Sequence, residues 1–307
     1  MSGPGDTGGA TPPRRLRKFK VTPLDILIIA VAIAFLAYVY QRIENNLVYH
    51  WDWAQIFPFF FRFDAEQNRW LANILIEGVI ITLRVSIWGA MFGMLFGLVM
   101  GLSRCSAVPI LRMISRGYVE LVRNMPPVPF LFIMFFFVGN QILKPMELPT
   151  LAKAASPEAQ QVIVFLFGEL NILRNFTAAV VALAIYEGAY VTEIVRAGIQ
   201  SIERGQWEAG GSLGLSRFDQ LRDVILPQAL QRITPPLANQ SIQLIKDSSL
   251  VSLLSIQELT FIGMEIAHST YRFFETWILV AVMYFVVCYG LSRLYARLER
   301  RMKKGRA

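Results

Sequence analysis

Three ionisable residues, Glu77, Arg84 and Glu187, interrupt long apolar stretches of this 307-residue sequence. A carboxylate near the middle of a bilayer costs at least about 2.5 kcal/mol, so Glu187 is expected to face a partner or a polar cavity. Charges in such positions bind or pass polar species. Catalysis is disfavoured, because the two histidines, His50 and His268, are isolated and the sequence shows no cluster of His, Asp or Cys that would mark a reaction centre.

The residues above lie in or beside apolar runs long enough to cross a membrane. The chain is 54% hydrophobic with a mean hydropathy of +0.45, which is rare for a soluble domain. A spanning helix needs about 20 residues, and the lack of strict apolar–polar alternation disfavours a β-barrel. The candidate runs are Leu24–Tyr40, Ile74–Leu102, Pro127–Leu143, Phe176–Val195, Val224–Ile245 and Trp277–Leu294. The sequence therefore predicts an all-α integral membrane protein with six transmembrane helices.

Basic residues predict the orientation of these helices. The net charge is +8, and the basic residues gather before the first run, after the second, around residues 205–227 and in the C-terminal tail. Short basic loops stay in the cytoplasm, so both termini are expected there. Nucleic-acid binding is a weak alternative, because the basic residues follow the ends of the apolar runs.

The same pattern predicts a division of the chain. Residues 1–23 are expected to be a disordered basic cytoplasmic tail. Residues 24–42 are expected to be a retained transmembrane helix, because no small-residue cleavage site follows them. Residues 43–73 form an external link whose aromatics are expected at the membrane interface. Residues 74–298 hold the other five spans, and 299–307 form a second basic cytoplasmic tail.

Glycine and proline mark special positions in the core. Four glycines recur every four residues and favour close helix packing, either within one subunit or between subunits: Gly89, Gly93, Gly97 and Gly101. Pro126, Pro127 and Pro129 remove backbone donors and are expected to prevent regular helix there. We expect them to give span three a kinked start; the alternative is an ordinary first helical turn.

Two local pairings are expected in the rest of the core. Ser156 should cap a short helix that begins at Pro157 and ends near Phe167. Glu193 and Arg196 are three residues apart and should pair on one helix face.

The segment Gly205–Pro227 is polar and glycine-rich, yet it separates two apolar runs. A first short helix is expected over Trp207–Leu213, with Trp207 protruding from a surface of low bulk. Glycine inside a helix costs about 1 kcal/mol relative to alanine, so adjacent glycines favour close docking of another chain. A second helix should begin at Ser216, and Pro227 should bend the run that follows. The segment has the form of a helix–glycine–helix elbow at a membrane surface.

This segment resembles the EAA loop of ABC importer permeases, whose pattern is E-A-A, three residues, G, nine residues, then I-x-L-P. Here the pattern reads Glu208-Ala209-Gly210, then Gly214, then Val224-Ile225-Leu226-Pro227. The flanking segments resemble the polar amino acid permeases of the histidine/glutamine/glutamate type: Val119–Arg123, Gly188–Gly198, Pro235–Gln240 and Lys246–Leu250. The resemblance extends over roughly residues 75–302.

The resemblance implies a type I importer fold with five core helices in 74–298 and one extra N-terminal helix. It implies a bacterial inner-membrane location, a second permease (self or sister chain), two ABC ATPase subunits and an extracytoplasmic amino-acid-binding protein. Residues 205–216 would be the coupling helix that seats on the ATPase. The coupling residues implied are Trp207, Glu208, Ala209, Gly210, Gly214 and Arg217.

Three positions depart from the family pattern. Gly210 and Val224 replace alanine and isoleucine, which are mild changes. The proline-rich segment Pro126–Pro129 leaves the geometry of the inner gate open.

No cofactor is expected in this chain. No lysine follows a glycine, so the chain lacks the phosphate-binding loop of ATPases. ATP and Mg²⁺ are therefore expected on partner subunits. Cys105 and Cys288 have neither the number nor the spacing for a metal site.

A zwitterionic amino acid needs a cation or a helix N-terminus for its carboxylate and an acceptor for its ammonium group. The expected path residues are Glu77, Arg84, Glu187, Tyr190, Thr192 and Gln243. Two other classes compete with this interpretation. An ion-coupled secondary transporter or channel would have no use for the elbow, and a membrane enzyme would need clustered catalytic residues.

Overall fold

The computed structural model describes residues 22–46, 49–65 and 68–304. Its helices are α1 (Pro23–Asn46), α2 (Ile74–Cys105), α3 (Pro109–Arg123), α4 (Pro127–Phe137), α5 (Leu148–Lys153), α6 (Pro157–Phe167), α7 (Leu173–Gln200), α8 (Arg204–Ser212), α9 (Arg217–Asp219), α10 (Leu226–Asp247), α11 (Leu259–Thr270) and α12 (Phe273–Lys304). Nearly all of the expected N-terminal tail lies outside the described residues. The expected C-terminal tail continues α12 as far as Lys304.

Helix α1 belongs to a unit of its own, which ends at Trp51. It covers the expected first span with 24 residues. Most of its large apolar side chains between Leu24 and Tyr40 are more than half exposed, as suits a helix that spans a membrane.

Four helical stretches are long and apolar enough to span a membrane: Pro23–Arg42, Ile74–Cys105, Leu170–Gln200 and Phe273–Arg300. Two bent pairs pass the same test. The pair Pro109–Arg123 and Pro127–Leu143 bends by 116°, and the pair Arg217–Leu254 and Leu259–Thr270 bends by 54°. Counting each pair as one span gives the six that the sequence predicts.

Helices α2 and α7 form a parallel pair at the centre of the core. The four glycines of α2 are buried against α7, so the chain uses this stripe for its own packing. Gly89 faces Leu183, and Gly97 faces Val191 nearer the other end. A Cβ atom on Gly97 would lie 2.5 Å from the Cβ of Val191, which is far inside van der Waals contact. Only glycine permits this separation of the two helices.

The prolines between α3 and α4 do not prevent helix formation, which corrects that expectation. Helix α4 begins at Pro127, and Pro129 lies in its first turn. The first backbone N–H groups of a helix have no partner within it, so prolines there lose no hydrogen bond. The kinked start is present as the 116° change of direction from α3.

Helix α3 is an additional finding, because the sequence did not predict a separate helix before span three. It packs on α2 through Ser115, whose hydroxyl donates to the Met100 carbonyl at 2.7 Å. It packs on α7 through Tyr118, whose hydroxyl donates to the Ile185 carbonyl at 2.6 Å. These contacts place the C-terminal half of α3 beside the middle of α7.

The fifth span extends beyond the predicted run, Val224–Ile245. The α-helix stops at Asp247, but the chain continues as a 3₁₀ turn, Ser248–Leu254, and then as α11. Pro227 coincides with a change of helix type, from a π-helical turn over Gln220–Ile225 to α10. The sharp bend comes only beyond Leu254.

Glu258 joins three helices at this second break. It caps α11 by accepting from the Phe261 backbone N–H at 2.9 Å. It also accepts from the Tyr284 hydroxyl of α12 at 2.6 Å and from the Thr82 hydroxyl of α2 at 3.3 Å. The side chain is fully buried, so these bonds replace its hydration.

The link before α2 contains a β-hairpin that the sequence did not predict. Strands β1 (Phe61–Asp64) and β2 (Arg69–Ala72) pair antiparallel, with Phe63 opposite Trp70. In the later link, the predicted cap is confirmed, because Ser156 accepts from the Ala159 backbone N–H at 3.3 Å in front of α6.

Candidate functional site

The elbow segment, Arg204–Ile225, follows the C-terminal end of α7 and consists of α8, a turn, α9 and the π-helical turn. Helix α8 ends in a Schellman motif. The Leu215 N–H donates to the Gly210 carbonyl at 3.1 Å, and the Gly214 N–H donates to the Gly211 carbonyl at 3.0 Å. Gly214 has φ +76°, which a side chain would strain.

The second half of the elbow starts as predicted. Ser216 caps α9 by accepting from the Asp219 N–H at 3.2 Å. The Ser216 hydroxyl also lies 2.5 Å from the Asp219 carboxylate.

Trp207 does not protrude, which corrects the expectation. It is half-buried and packs against an apolar cluster that includes Val195, Ile199 and Ile225. The apolar side chains that project from the elbow are Leu213, which is 81% exposed, and Phe218, which is 68% exposed. The indole therefore anchors the elbow to the bundle, while these two residues form its outer surface.

Gly210 packs within the elbow segment. This differs from the expectation that the adjacent glycines allow close docking of another chain. Gly210 is buried, and a Cβ atom there would lie 3.0 Å from Gln220 Cγ. Gln220 in turn donates to the Leu215 carbonyl at 2.9 Å. Gly210 thus lets the two halves of the elbow close on each other. Glu208, Ala209, Gly211, Gly214 and Arg217 remain exposed.

Polar contacts tie the elbow to α10. The Gln228 side chain donates to Gln206 Oε1 at 3.0 Å. The Arg232 guanidinium donates to the Ser201 carbonyl just before the elbow. A movement of α8 is thereby linked to the base of α10.

The ends of α2 and α7 near the elbow are joined by an ion network. The predicted pair is confirmed: the Arg196 guanidinium lies 2.8 Å from the Glu193 carboxylate. Arg104 of α2 contacts the other oxygen of Glu193 at 2.6 Å. The sequence did not predict this second bridge.

A second site, the polar cluster, surrounds Glu187 at the middle of α7. Glu187 is 2% exposed, and its Oε2 accepts from the Gln240 side chain at 2.5 Å. Its Oε1 is buried and accepts no hydrogen bond within the described part of the chain. The Asp247 carboxyl group is its electrostatic neighbour. Gln243, which is exposed, donates to Asp247 at 2.9 Å. The carboxyl groups of Glu187 and Asp247 thus face one region.

Aromatic hydroxyls and one arginine complete the cluster. The hydroxyls of Tyr186 and Tyr190 lie 3.0 Å apart. The exposed guanidinium of Arg123, the last residue of α3, stacks 5.3 Å from the centre of the Tyr190 ring. The break between α3 and α4 therefore opens beside this cluster. The polar cluster therefore contains hydrogen-bond acceptors that suit a cation and a guanidinium group that suits an anion.

Of the predicted path residues, Glu187, Tyr190 and Gln243 come together and the others do not. Arg84 lines a separate cavity of about 270 Å³ beside Trp88 and Phe165. Glu77 is exposed in the first turn of α2, where a carboxylate complements the helix dipole.

Thr192 is fully buried between α2 and α7. It donates to the Gly188 carbonyl at 2.7 Å, so it is a packing residue in this structure.

Sequence reasoning missed Gln240, Asp247 and Arg123 as members of the cluster. Gln240, Gln243 and Asp247 are spaced i, i+3 and i+7, which places them on one helical face. That polar stripe on α10 was a usable signal. Arg123 gave no comparable signal, because its position depends on the unpredicted path of α3.

The described residues contain no group of three or more His, Cys, Asp or Glu side chains that could hold a metal ion.

Known proteins share this architecture. Residues 93–304 match the family described as "Binding-protein-dependent transport system inner membrane component". The glutamine transport system permease protein GlnP of Escherichia coli (strain K12) is 37% identical over 252 residues, or 82% of this chain and 98% of the relative. The L-cystine transport system permease protein TcyB of Bacillus subtilis (strain 168) is 34% identical over 78% of this chain and 90% of its own length.

Solved structures agree in fold. A crystal structure of an amino acid ABC transporter with histidines matches with a TM-score of 0.58 and 33% identity, and the match covers 74% of this chain and 94% of that one. An inward-facing MetNI methionine ABC transporter matches with a TM-score of 0.57 over 74% of this chain and 95% of that one. Its 21% identity supports the fold alone.

The bent spans, the elbow and the polar cluster define a transmembrane subunit of an ABC importer with the type I fold. The chain belongs to the family of binding-protein-dependent transport system inner membrane components. The family resemblance carried by the five sequence segments is confirmed.

Proposed function

We propose that this permease subunit forms the translocation path of an ATP-driven importer of polar amino acids and that its elbow segment receives force from a separate ATPase. The supporting observation is a compact elbow that projects Leu213 and Phe218 while Trp207 anchors it to the bundle. The proposed assembly contains two ABC ATPase subunits that carry ATP and Mg²⁺, a second permease and an extracytoplasmic amino-acid-binding protein. Both termini lie in the cytoplasm of a bacterial cell.

The elbow can transmit force because its shape is fixed from within. The Schellman motif and the contact between Gly210 and Gln220 hold its halves together. Glu208, Ala209, Gly214 and Arg217 lie on the exposed surface beside Leu213 and are proposed to contact the ATPase. Closure of the ATPase pair would then push on the base of α10 and switch access by rigid-body motion.

The polar cluster is proposed to pass the amino acid. The free Oε1 of Glu187 suits the ammonium group of a zwitterion. The exposed guanidinium of Arg123 suits its carboxylate. Asp247 and Gln243 add acceptors on the facing helix. The names of the relatives, which include glutamine and cystine permeases, agree with a polar amino acid as substrate.

A substitution at Gly214 tests the coupling proposal. No atom lies within 4 Å of a Cβ added there, so valine changes only the backbone preference at φ +76°. In proteoliposomes with the ATPase and the binding protein, Gly214→Val should lower amino acid uptake per ATP hydrolysed, with the permease still present in the membrane.

Gly205→Val is the matched control. Gly205 also has open space around its Cβ position, but its φ is not in the left-handed region. It should keep normal coupling. Full coupling in Gly214→Val, or uptake that persists without ATP, would contradict the proposal and favour a secondary transporter.

A further inference from the structure

An apolar groove lies in the link before α2. It has a volume of about 1220 Å³ and is lined mainly by aromatic residues of the hairpin and the turn before it. Phe57 is 65% exposed and Trp70 is 69% exposed, while Phe61 and Phe63 are about half exposed. The volume exceeds the roughly 300–1,000 Å³ of most small-molecule sites.

The groove has a rigid base on the transmembrane bundle. Asn73 caps α2 by accepting from the Ile74 N–H at 2.9 Å. The Asn73 side chain also donates to the Pro58 carbonyl at 2.9 Å. Ile56, between these elements and the bundle, is buried against Leu75. The groove is therefore held at the depth where α2 enters the membrane.

The depth and the lining together select the occupant. Aromatic rings are favoured at the level of lipid headgroups, where one side meets hydrocarbon. Arg62, between Phe61 and Phe63 on β1, is also among the residues that line the groove. Its guanidinium has no hydrogen-bond or ion-pair partner among the residues that the structure describes, and a phosphate would supply one.

We infer that this groove binds a phospholipid of the leaflet opposite the elbow segment. An acyl chain lies along Phe57, Phe61, Phe63 and Trp70, and the phosphate pairs with Arg62. The groove is at the other end of α2 from the elbow, so lipid binding and ATPase coupling can fail separately.

Quenching of Trp70 by brominated lipid tests this site. The chain has six tryptophans, and a variant that keeps only Trp70 reports on the groove. In detergent micelles titrated with dibromostearoyl phosphatidylcholine, its fluorescence should fall and saturate at a low ratio of lipid to protein. A variant that keeps only Trp207, in the elbow, is the matched control and should not be quenched.

Two outcomes would overturn the inference. One is no quenching of Trp70. The other is quenching that rises linearly with lipid content, as contact with bulk lipid requires. If Trp70 instead responded to a soluble protein partner and not to lipid, the groove would be a protein-docking surface.

A second measurement does not depend on tryptophan replacement. Native mass spectrometry of the otherwise unaltered permease should show a retained phospholipid. The double variant Phe61→Ala/Phe63→Ala should lose it, and Arg62→Gln should weaken its retention. Phe285→Ala, at an exposed phenylalanine in α12, should retain the lipid as before. Equal retention in all four proteins would overturn the inference.

Discussion

The α2–α7 pair and the elbow segment use glycine for opposite purposes. In the pair, Gly97 permits contact between two helices at a distance that no other residue allows. In the elbow, Gly214 has free space around it and is required only for its backbone angle. One region is fixed by packing and the other by local conformation. The permease thus combines a tightly packed frame of helices, centred on the α2–α7 pair, with an elbow segment whose shape depends on its own backbone conformation.

The largest effect is expected from a substitution in the frame. Gly97→Val would place side-chain carbon 2.5 Å from Val191 Cβ, so the helices must move apart. The expected loss in the free energy of unfolding is about 3 kcal/mol. Denaturant unfolding in detergent measures it. Gly117→Val, where no atom lies within 4 Å, is the control. Equal stability of the two variants would remove the contrast between frame and elbow.

A somewhat smaller effect is expected at the second break. Glu258→Ala leaves the Tyr284 hydroxyl and the Phe261 N–H without their acceptor. The expected destabilisation is about 2 kcal/mol, because buried donors lose their partner. Thermal unfolding of the purified permease is the measurement. Glu265→Ala removes an exposed carboxylate from the same helix and should change little. A stability equal to that of this control would mean that Glu258 is not part of the frame.

A change of opposite sign is expected in the elbow. A Cβ on Gly211 would make only an ordinary contact at 3.5 Å with Gln220. Gly211→Ala should therefore raise the local helix stability by up to about 1 kcal/mol. Protection of α8 amides in hydrogen exchange reports this change. If amide protection of α8 rises while ATPase coupling falls, we infer that Gly211 is required for docking of the ATPase. Lower amide protection would contradict the open space found around Gly211.

The smallest effect on stability is expected at the projecting side chains. Leu213→Ser removes an apolar surface that is 81% exposed, so unfolding should be unchanged within about 0.5 kcal/mol. Affinity for the ATPase subunit should fall, which a pull-down titration measures. Leu253→Ser, a half-exposed leucine away from the elbow, is the control. Unchanged ATPase affinity would mean that Leu213 is not part of the docking surface.

The sequence predicted what local rules determine. Apolar length gave the six spans, residue chemistry gave the caps at Ser156 and Ser216, and i, i+3 spacing gave the pair of Glu193 and Arg196. It failed where the outcome depends on tertiary packing. Nothing local distinguishes an exposed Trp207 from one that packs on Ile225, and nothing local shows that Asp247 ends a helix inside the bundle.

The candidate site was predicted in the same uneven way. Glu187 was identifiable because a charged residue within an apolar run is costly to bury and therefore indicates a functional or structural partner. Arg84 was selected by the same rule, but it lines another cavity. It lies on the face of α2 away from the glycine stripe that packs on α7. Gln240, which donates a hydrogen bond to Glu187, is neutral, so the rule that selects charged residues in apolar runs does not select it.

Helix α10 joins the elbow segment to the polar cluster. It starts at the elbow and stops at Asp247 beside Glu187, and its 22 residues measure about 33 Å. If the elbow segment docks on an ATPase as proposed, α10 is the element that would carry its movement to Asp247. A tilt of roughly 10° about its base would sweep Asp247 by roughly 6 Å, given that length. A displacement of that size would separate the carboxyl groups of Asp247 and Glu187 and so open the polar cluster.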